Sequence, residues 1–255
     1  MFNKGHAKMK WRGLLLCSLM ISTVQAQTLI VQDTQRNRAI PVEIYSPPTS
    51  CKPDASCPVA LLGSGYGVAH TDYGFIAHTL NQQGYLVVAV GHELPGDPPL
   101  SREPPFLQTR TENWQRGAQT LKLLHAYLQS EHPEADLTQM ILVGHSNGGD
   151  IAAWLLRDSS QFATTLITLD HRRVPLPKAS NIKVLSIRAD DYPADDGVLP
   201  DVHTPWPNHP CIRTIEGAKH NDLTDQGPQW LKNRVASLIK NFLQGSCNPI
   251  DHKAS

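Results

Sequence analysis

The residues of this chain best placed to do chemistry lie in Gly144-His145-Ser146-Asn147-Gly148-Gly149. The apolar run Ile141-Leu142-Val143 precedes them and reads as a strand, whereas Asp150-Ile151-Ala152-Ala153-Trp154-Leu155-Leu156 follows and reads as a helix. A serine on so tight a strand–turn–helix junction is held clear of its own backbone. Its glycine neighbours leave space that side chains would fill. A serine hydroxyl attacks a carbonyl only with a base within hydrogen-bond reach. That base needs an acid to fix its tautomer and stabilise its charged form. The chemistry implied is acyl transfer.

In a site of this kind the acid and then the histidine follow the serine along the chain. Of the twelve histidines, His171, His203, His209, His220 and His252 lie after Ser146. His220 is the choice of base, because it follows the strand ending at Ile215, in the polar loop Glu216-Gly217-Ala218-Lys219-His220-Asn221-Asp222. The acid is less determined. Asp170 ends one strand, and Asp190, Asp191 and Asp195 follow the next. Both strand ends belong to the same edge of the sheet, so spacing leaves them open; Asp170 could equally be held in an ion pair by Arg172 or Arg173. Two N–H donors should face the developing oxyanion. The backbone of Asn147, next to the nucleophile, supplies one and that of Tyr66, in Gly63-Ser64-Gly65-Tyr66-Gly67, the other. The latter loop lacks the glycine and lysine pattern of a phosphate cradle.

The elements that must position these groups follow from hydrophobic pattern. Leu29–Val31 and Ala39–Tyr45 read as strands joined by a polar turn, and Pro58–Leu62 as a short buried strand. Thr71 and Asp72 should cap a helix carrying Phe75, Ile76 and Leu80 that stops at Gly84. Tyr85–Val90 is apolar throughout, as a parallel strand covered on both faces should be. Thr109 and Glu112 resemble a capping box ahead of Trp114, Ala118, Leu121, Leu124 and Leu128 at helical spacing. Strands at Ala163–Leu169 and Ile182–Ile187 precede that at Cys211–Ile215. An amphipathic helix over Trp230–Phe242, with Gly245 as its stop, closes the chain. Strands alternating with helices predict an α/β fold, a mostly parallel sheet with helices on both faces. About a dozen residues separate Asp170 from Ile182, too few for a large lid, so the site should be open.

Residues 1–26 have the form of a cleaved signal peptide: Lys4, Lys8, Lys10 and Arg12, then the apolar stretch Gly13–Val24, then the small Ala26. The apolar stretch is too short for the roughly 20 residues that span a bilayer, so no stable membrane anchor is expected. Residues 27–255 should form a single domain. Export would remove four of the 23 basic and none of the 23 acidic residues, leaving a net charge of −4. Such a surface has no general attraction for nucleic acid. Four cysteines would remain and should pair as Cys51–Cys57 and Cys211–Cys247 in a periplasmic or secreted protein. The second pairing has a topological reason: Cys211 opens a strand and Cys247 follows a helix running back against it. Their spacing does not suit zinc, and no metal or organic cofactor is implied.

Together these segments resemble the platelet-activating-factor acetylhydrolase family and its dienelactone-hydrolase-like relatives, within the α/β-hydrolase superfamily. The resemblance runs from about residue 58 to 222. It takes in the Gly63–Gly67 loop, Asp72-Tyr73, Gln83–His92, Gly144–Gly149, Thr168-Leu169-Asp170, Tyr192-Pro193-Ala194 and Lys219-His220-Asn221. It implies an α/β-hydrolase fold without a large lid domain. It also implies Ser146 as nucleophile and, about two dozen residues on, Asp170 as the acid, with Asp191 the rival. The family usually has His-Gly before its oxyanion residue, where this chain has Ser64-Gly65, so the pocket floor is altered. The expected activity is hydrolysis of a small-molecule or lipid-like ester, short-acyl or phospholipid-like, through a Ser-His-Asp acyl-enzyme mechanism. A thioesterase or amidase with the same triad, or a silent binding domain, would share the fold. No role is assigned to His92 or Glu93.

Overall fold

The computed structural model describes residues 1, 26–47, 56–201 and 206–247. The expected signal peptide, apart from its first and last residues, lies outside the described residues. So does Cys51 of the expected Cys51–Cys57 pair, although Cys57 is itself disulfide-bonded.

The strands are β1 (Ala26–Asp33), β2 (Arg38–Tyr45), β3 (Cys57–Gly63), β4 (Leu86–Val90), β5 (Ala135–His145), β6 (Thr165–Leu169), β7 (Lys183–Arg188) and β8 (Cys211–Thr214). They form one sheet in the order β1-β2-β4-β3-β5-β6-β7-β8. β2 runs against both its neighbours, and β4 through β8 pair in parallel. The helices are α1 (Gly74–Asn81), α2 (Phe106–Thr109), α3 (Thr111–Glu131), α4 (Asn147–Asp158) and α5 (Gln229–Leu243).

The central strands β3 and β4 are apolar at every position because each feeds two cores. Side chains alternate faces along a strand. Val59 and Leu61 of β3, Val88 of β4 and Leu142 of β5 therefore enter one core, with Trp114 and Leu121 of α3 and Ile151 of α4. Ala60 and Leu62, Val87 and Ala89, and Ile141 and Val143 enter the other, with Ile76 and Leu80 of α1 and Val235 and Ile239 of α5. A sheet covered on both faces has no polar face to alternate with. Its loops then collect at the ends of the strands, and those following β3, β5, β6, β7 and β8 carry the candidate site.

The helix starts differ from expectation. Asp72 does not cap α1, whose N-cap residue is Tyr73. The carboxylate of Asp225, far along the chain, accepts the N–H groups of Gly74 (2.8 Å) and Phe75 (2.9 Å) instead. A carboxylate satisfies orphan donors at a helix N-terminus as well from a distant loop as from the adjacent residue. Thr109 and Glu112 make no capping box either. α2 and α3 meet at Arg110, and the Thr109 hydroxyl donates to the Glu103 carbonyl at 2.7 Å.

Cys211 and Cys247 are bonded, with their Cα atoms 5.8 Å apart. The bridge ties the start of edge strand β8 to the segment after α5. Closing a loop of 36 residues should stabilise the fold by about 3–4 kcal/mol through loss of unfolded-chain entropy. Replacing both cysteines by serine should lower the urea unfolding free energy by about that amount, with an unchanged far-UV spectrum. A loss below about 1 kcal/mol would show that the bridge constrains little.

Candidate active site

Ser146 stands between β5 and α4 with φ 50° and ψ −118°, a left-handed conformation that costs a serine about 1–3 kcal/mol. Its N–H donates to the Leu169 carbonyl at 2.8 Å, which ties the turn to β6. The glycines show why no side chain is tolerated around it. A Cβ on Gly144 would lie 2.4 Å from the carbonyl carbon of Gly148, and one on Gly148 would lie 2.4 Å from the Gly63 oxygen. α4 therefore starts almost in contact with the ends of β5 and β3.

The Ser146 hydroxyl lies 2.9 Å from Nε2 of His220, which sits in a single 3-10 turn after β8. The other ring nitrogen, Nδ1, is 2.5 Å from Oδ2 of Asp170. Asp170 directly follows β6 at φ 50° and is 0% exposed. Asp191 is placed differently: its Oδ2 accepts the backbone N–H of His220 at 3.0 Å. Asp190 accepts the Gly217 N–H at 2.7 Å, while Asp195 pairs with Arg173. Of the four aspartates, Asp170 is the one that meets the imidazole, and two others hold neighbouring loop segments.

The alternative reading of Asp170 as an ion-pair partner also applies. Arg172 donates to Oδ2 through Nη2 at 2.6 Å and Nε at 3.0 Å. Nη2 of Arg188, from β7, lies 2.9 Å from Oδ1, an ion pair without an aligned hydrogen bond. Burial opposes the charge on Asp170. The His220 contact and then the Arg188 and Arg172 guanidinium groups outweigh it, holding the pKa down to about 2. The carboxylate is thus ionised at any working pH.

Asn147 is the first residue of α4, where a backbone N–H has no partner within the helix. Its side chain is anchored on both sides. Oδ1 accepts from Trp114 Nε1 at 3.0 Å, and Nδ2 donates to Asn113 at 2.9 Å and to Glu93 at 3.3 Å. Glu93, given no role from sequence, is the acceptor on which both asparagines converge; only its position after β4 hinted at this. Tyr66 follows β3 in the expected loop and is 43% exposed; its hydroxyl accepts the Leu100 N–H at 3.1 Å. No helix intervenes between β6 and β7, so that connection forms no helical lid.

Asp150, in the first turn of α4, is buried, and its Oδ1 accepts the N–H groups of Arg172 (3.2 Å), Arg173 (2.9 Å) and Val174 (3.0 Å). It fastens the segment after Asp170 to the elbow helix. Burial pushes its pKa up to about 6 despite those three donors. A carboxyl raised in the folded state contributes stability that is full below about pH 4 and lost as pH rises through about 6. Asp150→Asn removes that ionisation. Its unfolding free energy relative to the parent chain should therefore improve by about 2–3 kcal/mol between pH 4 and pH 8. Urea unfolding at the two pH values measures this, and a pH-independent difference would contradict it.

No family model matches the sequence, and no curated protein does either. Solved structures do resemble it. A ferulic acid esterase from Streptomyces cinnamoneus is 17% identical, with a TM-score of 0.58 over 90% of this chain and 92% of that one. An S-formylglutathione hydrolase from Agrobacterium tumefaciens is 12% identical, with a TM-score of 0.59 over 88% and 95%. A dienelactone hydrolase from Anabaena variabilis is 15% identical, with a TM-score of 0.56 over 87% and 98%. Sheet order, elbow and these likenesses agree that the chain has the α/β-hydrolase fold.

Proposed function

We propose that this chain is an exported serine hydrolase that cleaves carboxylic esters through an acyl-enzyme. The observation that carries the reading is the unbroken line from the Ser146 hydroxyl through His220 to Asp170, at 2.9 and 2.5 Å. His220 takes the Ser146 proton as Oγ attacks the ester carbonyl. The negative charge on the carbonyl oxygen is met by the N–H groups of Tyr66 and Asn147. The imidazolium returns its proton to the leaving alcohol, and water repeats the sequence on the acyl-enzyme. Asp170 keeps Nδ1 protonated and stabilises the imidazolium without accepting a proton.

Three features bear on substrate and location. With no lid between β6 and β7, the site suits small or extended esters with short acyl chains. The Cys211–Cys247 bridge and the basic-then-apolar first 26 residues support export to an oxidising compartment. No helix among the described residues is long and apolar enough to cross a membrane.

The test is hydrolysis of p-nitrophenyl acetate by three variants. Ser146→Ala should abolish it while leaving the thermal midpoint within a degree or two. Asp170→Asn should lower kcat by about 10³–10⁴, as expected when the imidazole loses its orienting anion. Asp191→Asn, whose side chain meets the His220 N–H and Arg172 but not the imidazole, should cost less than about tenfold. Retained activity in Ser146→Ala would remove the mechanism, and a larger loss in Asp191→Asn would exchange the acids. A chain-length series of p-nitrophenyl esters, run beside a phospholipid and a polyester, should show kcat/KM falling as the acyl chain lengthens.

A further inference from the structure

His145 and Tyr73 are large polar side chains that the reading above does not use, and both are buried, at 2% and 1% exposure. They form a single line of hydrogen bonds. The Gly65 N–H meets the Tyr73 hydroxyl oxygen at 2.9 Å, that hydroxyl meets His145 Nδ1 at 2.8 Å, and His145 Nε2 meets the His220 carbonyl at 3.1 Å. The two ends dictate every proton in between. A backbone N–H only donates, so the tyrosine oxygen accepts from Gly65. A carbonyl only accepts, so Nε2 of His145 carries the proton. Nδ1 of a neutral imidazole is then bare, and the Tyr73 hydroxyl donates to it. Burial first, and then the neighbouring His220 ring, holds the His145 pKa down to about 3, so the neutral form persists.

We propose that Tyr73 and His145 are positioning residues that lock the oxyanion loop and the His220 turn to the nucleophile elbow. Each contact ends one residue or less from a reacting group. Gly65 precedes Tyr66, His145 precedes Ser146, and the carbonyl at the far end is that of His220 itself. The Gly65 backbone is pressed onto the pair: a Cβ there would lie 3.0 Å from His145 Nδ1 and 3.3 Å from the Tyr73 oxygen. Removing the hydroxyl leaves the Gly65 N–H and His145 Nδ1 unmet in a dry site, and the Tyr66 loop shifts to satisfy them. Oxyanion donors act on the transition state far more than on bound substrate, so the loss falls on kcat.

The inference rests on Ser146 and His220 being nucleophile and base. Tyr73→Phe should lower kcat for p-nitrophenyl acetate by about 10–100-fold, with KM within about twofold and the fold intact. His145→Leu should lose as much. His145→Gln should recover most of the rate, because its amide can donate to the His220 carbonyl and accept from Tyr73. Rates within about threefold of the parent in Tyr73→Phe and His145→Leu, a loss confined to KM, or no advantage of glutamine over leucine would each overturn the proposal. A ¹⁵N spectrum of the unaltered protein tests it without any variant, should these not fold. His145 must appear as the neutral Nε2–H tautomer, and the Nδ1–H tautomer would overturn the proposal. A parent chain without esterase activity would sink the functional reading, whereas an active parent with indifferent variants would sink this inference alone.

Discussion

The contact between the start of α4 and the ends of β3 and β5 is the constraint on which the site depends. Gly148 sits against the Gly63 backbone and Gly144 against Gly148, at separations that exclude any Cβ. That closeness obliges Ser146 to turn through a left-handed conformation, since the chain must reverse within one residue. Its hydroxyl projects from the sheet edge as a consequence. The same closeness sets the start of α4 against the backbone of Gly63 and Ser64, so that Ser146 and the loop after β3, which the proposed mechanism uses together, are held side by side. The strain at Ser146 is offset by the two cores on either side, between which the stretch of β5 leading into the elbow, Met140–His145, is buried.

A second layer of order is electrostatic. Asp170 has no exposure to water, yet it faces one imidazole and two guanidinium groups. A lone buried carboxylate would be costly to ionise, and here the surrounding cations reverse that balance. One charge therefore serves twice, orienting His220 and joining β6 to β7 through Arg188. The polar groups flanking Ser146 follow the same economy. Asn147 is held by Trp114, Asn113 and Glu93, so the residue proposed to supply an oxyanion N–H has little freedom to rotate.

Much of this was legible in the sequence because it depends on local pattern. The apolar runs of β3, β4, β5 and β6 announced a doubly covered parallel sheet, and the glycines around Ser146 announced the elbow. Cys211 and Cys247 were pairable because a strand start and a helix end meet at one edge. Which aspartate meets His220 was not decidable by spacing, since Asp170 and Asp191 both follow strands at the same sheet edge. Side-chain direction separates them: Asp170 turns inward at positive φ to meet the imidazole, whereas Asp191 meets the backbone N–H of His220 and the Arg172 guanidinium. Long-range partnerships left no local trace. Asp225 caps a helix some 150 residues earlier in the chain, which a reading of Asp72 as the nearest carboxylate could not anticipate. His145 occupies the variable position of the Gly-x-Ser-x-Gly pattern, and nothing local in the sequence indicates its burial against Tyr73.

The central claim is that the Ser146 oxygen becomes acylated. Rapid acid quench during turnover of p-nitrophenyl acetate, followed by peptide mapping by mass, tests it most directly. One acetyl group should appear on the peptide carrying Ser146, formed in a burst of p-nitrophenol and lost as the steady state decays. Product released with no acetylated peptide, or an acetyl group carried on a different residue, would contradict the account.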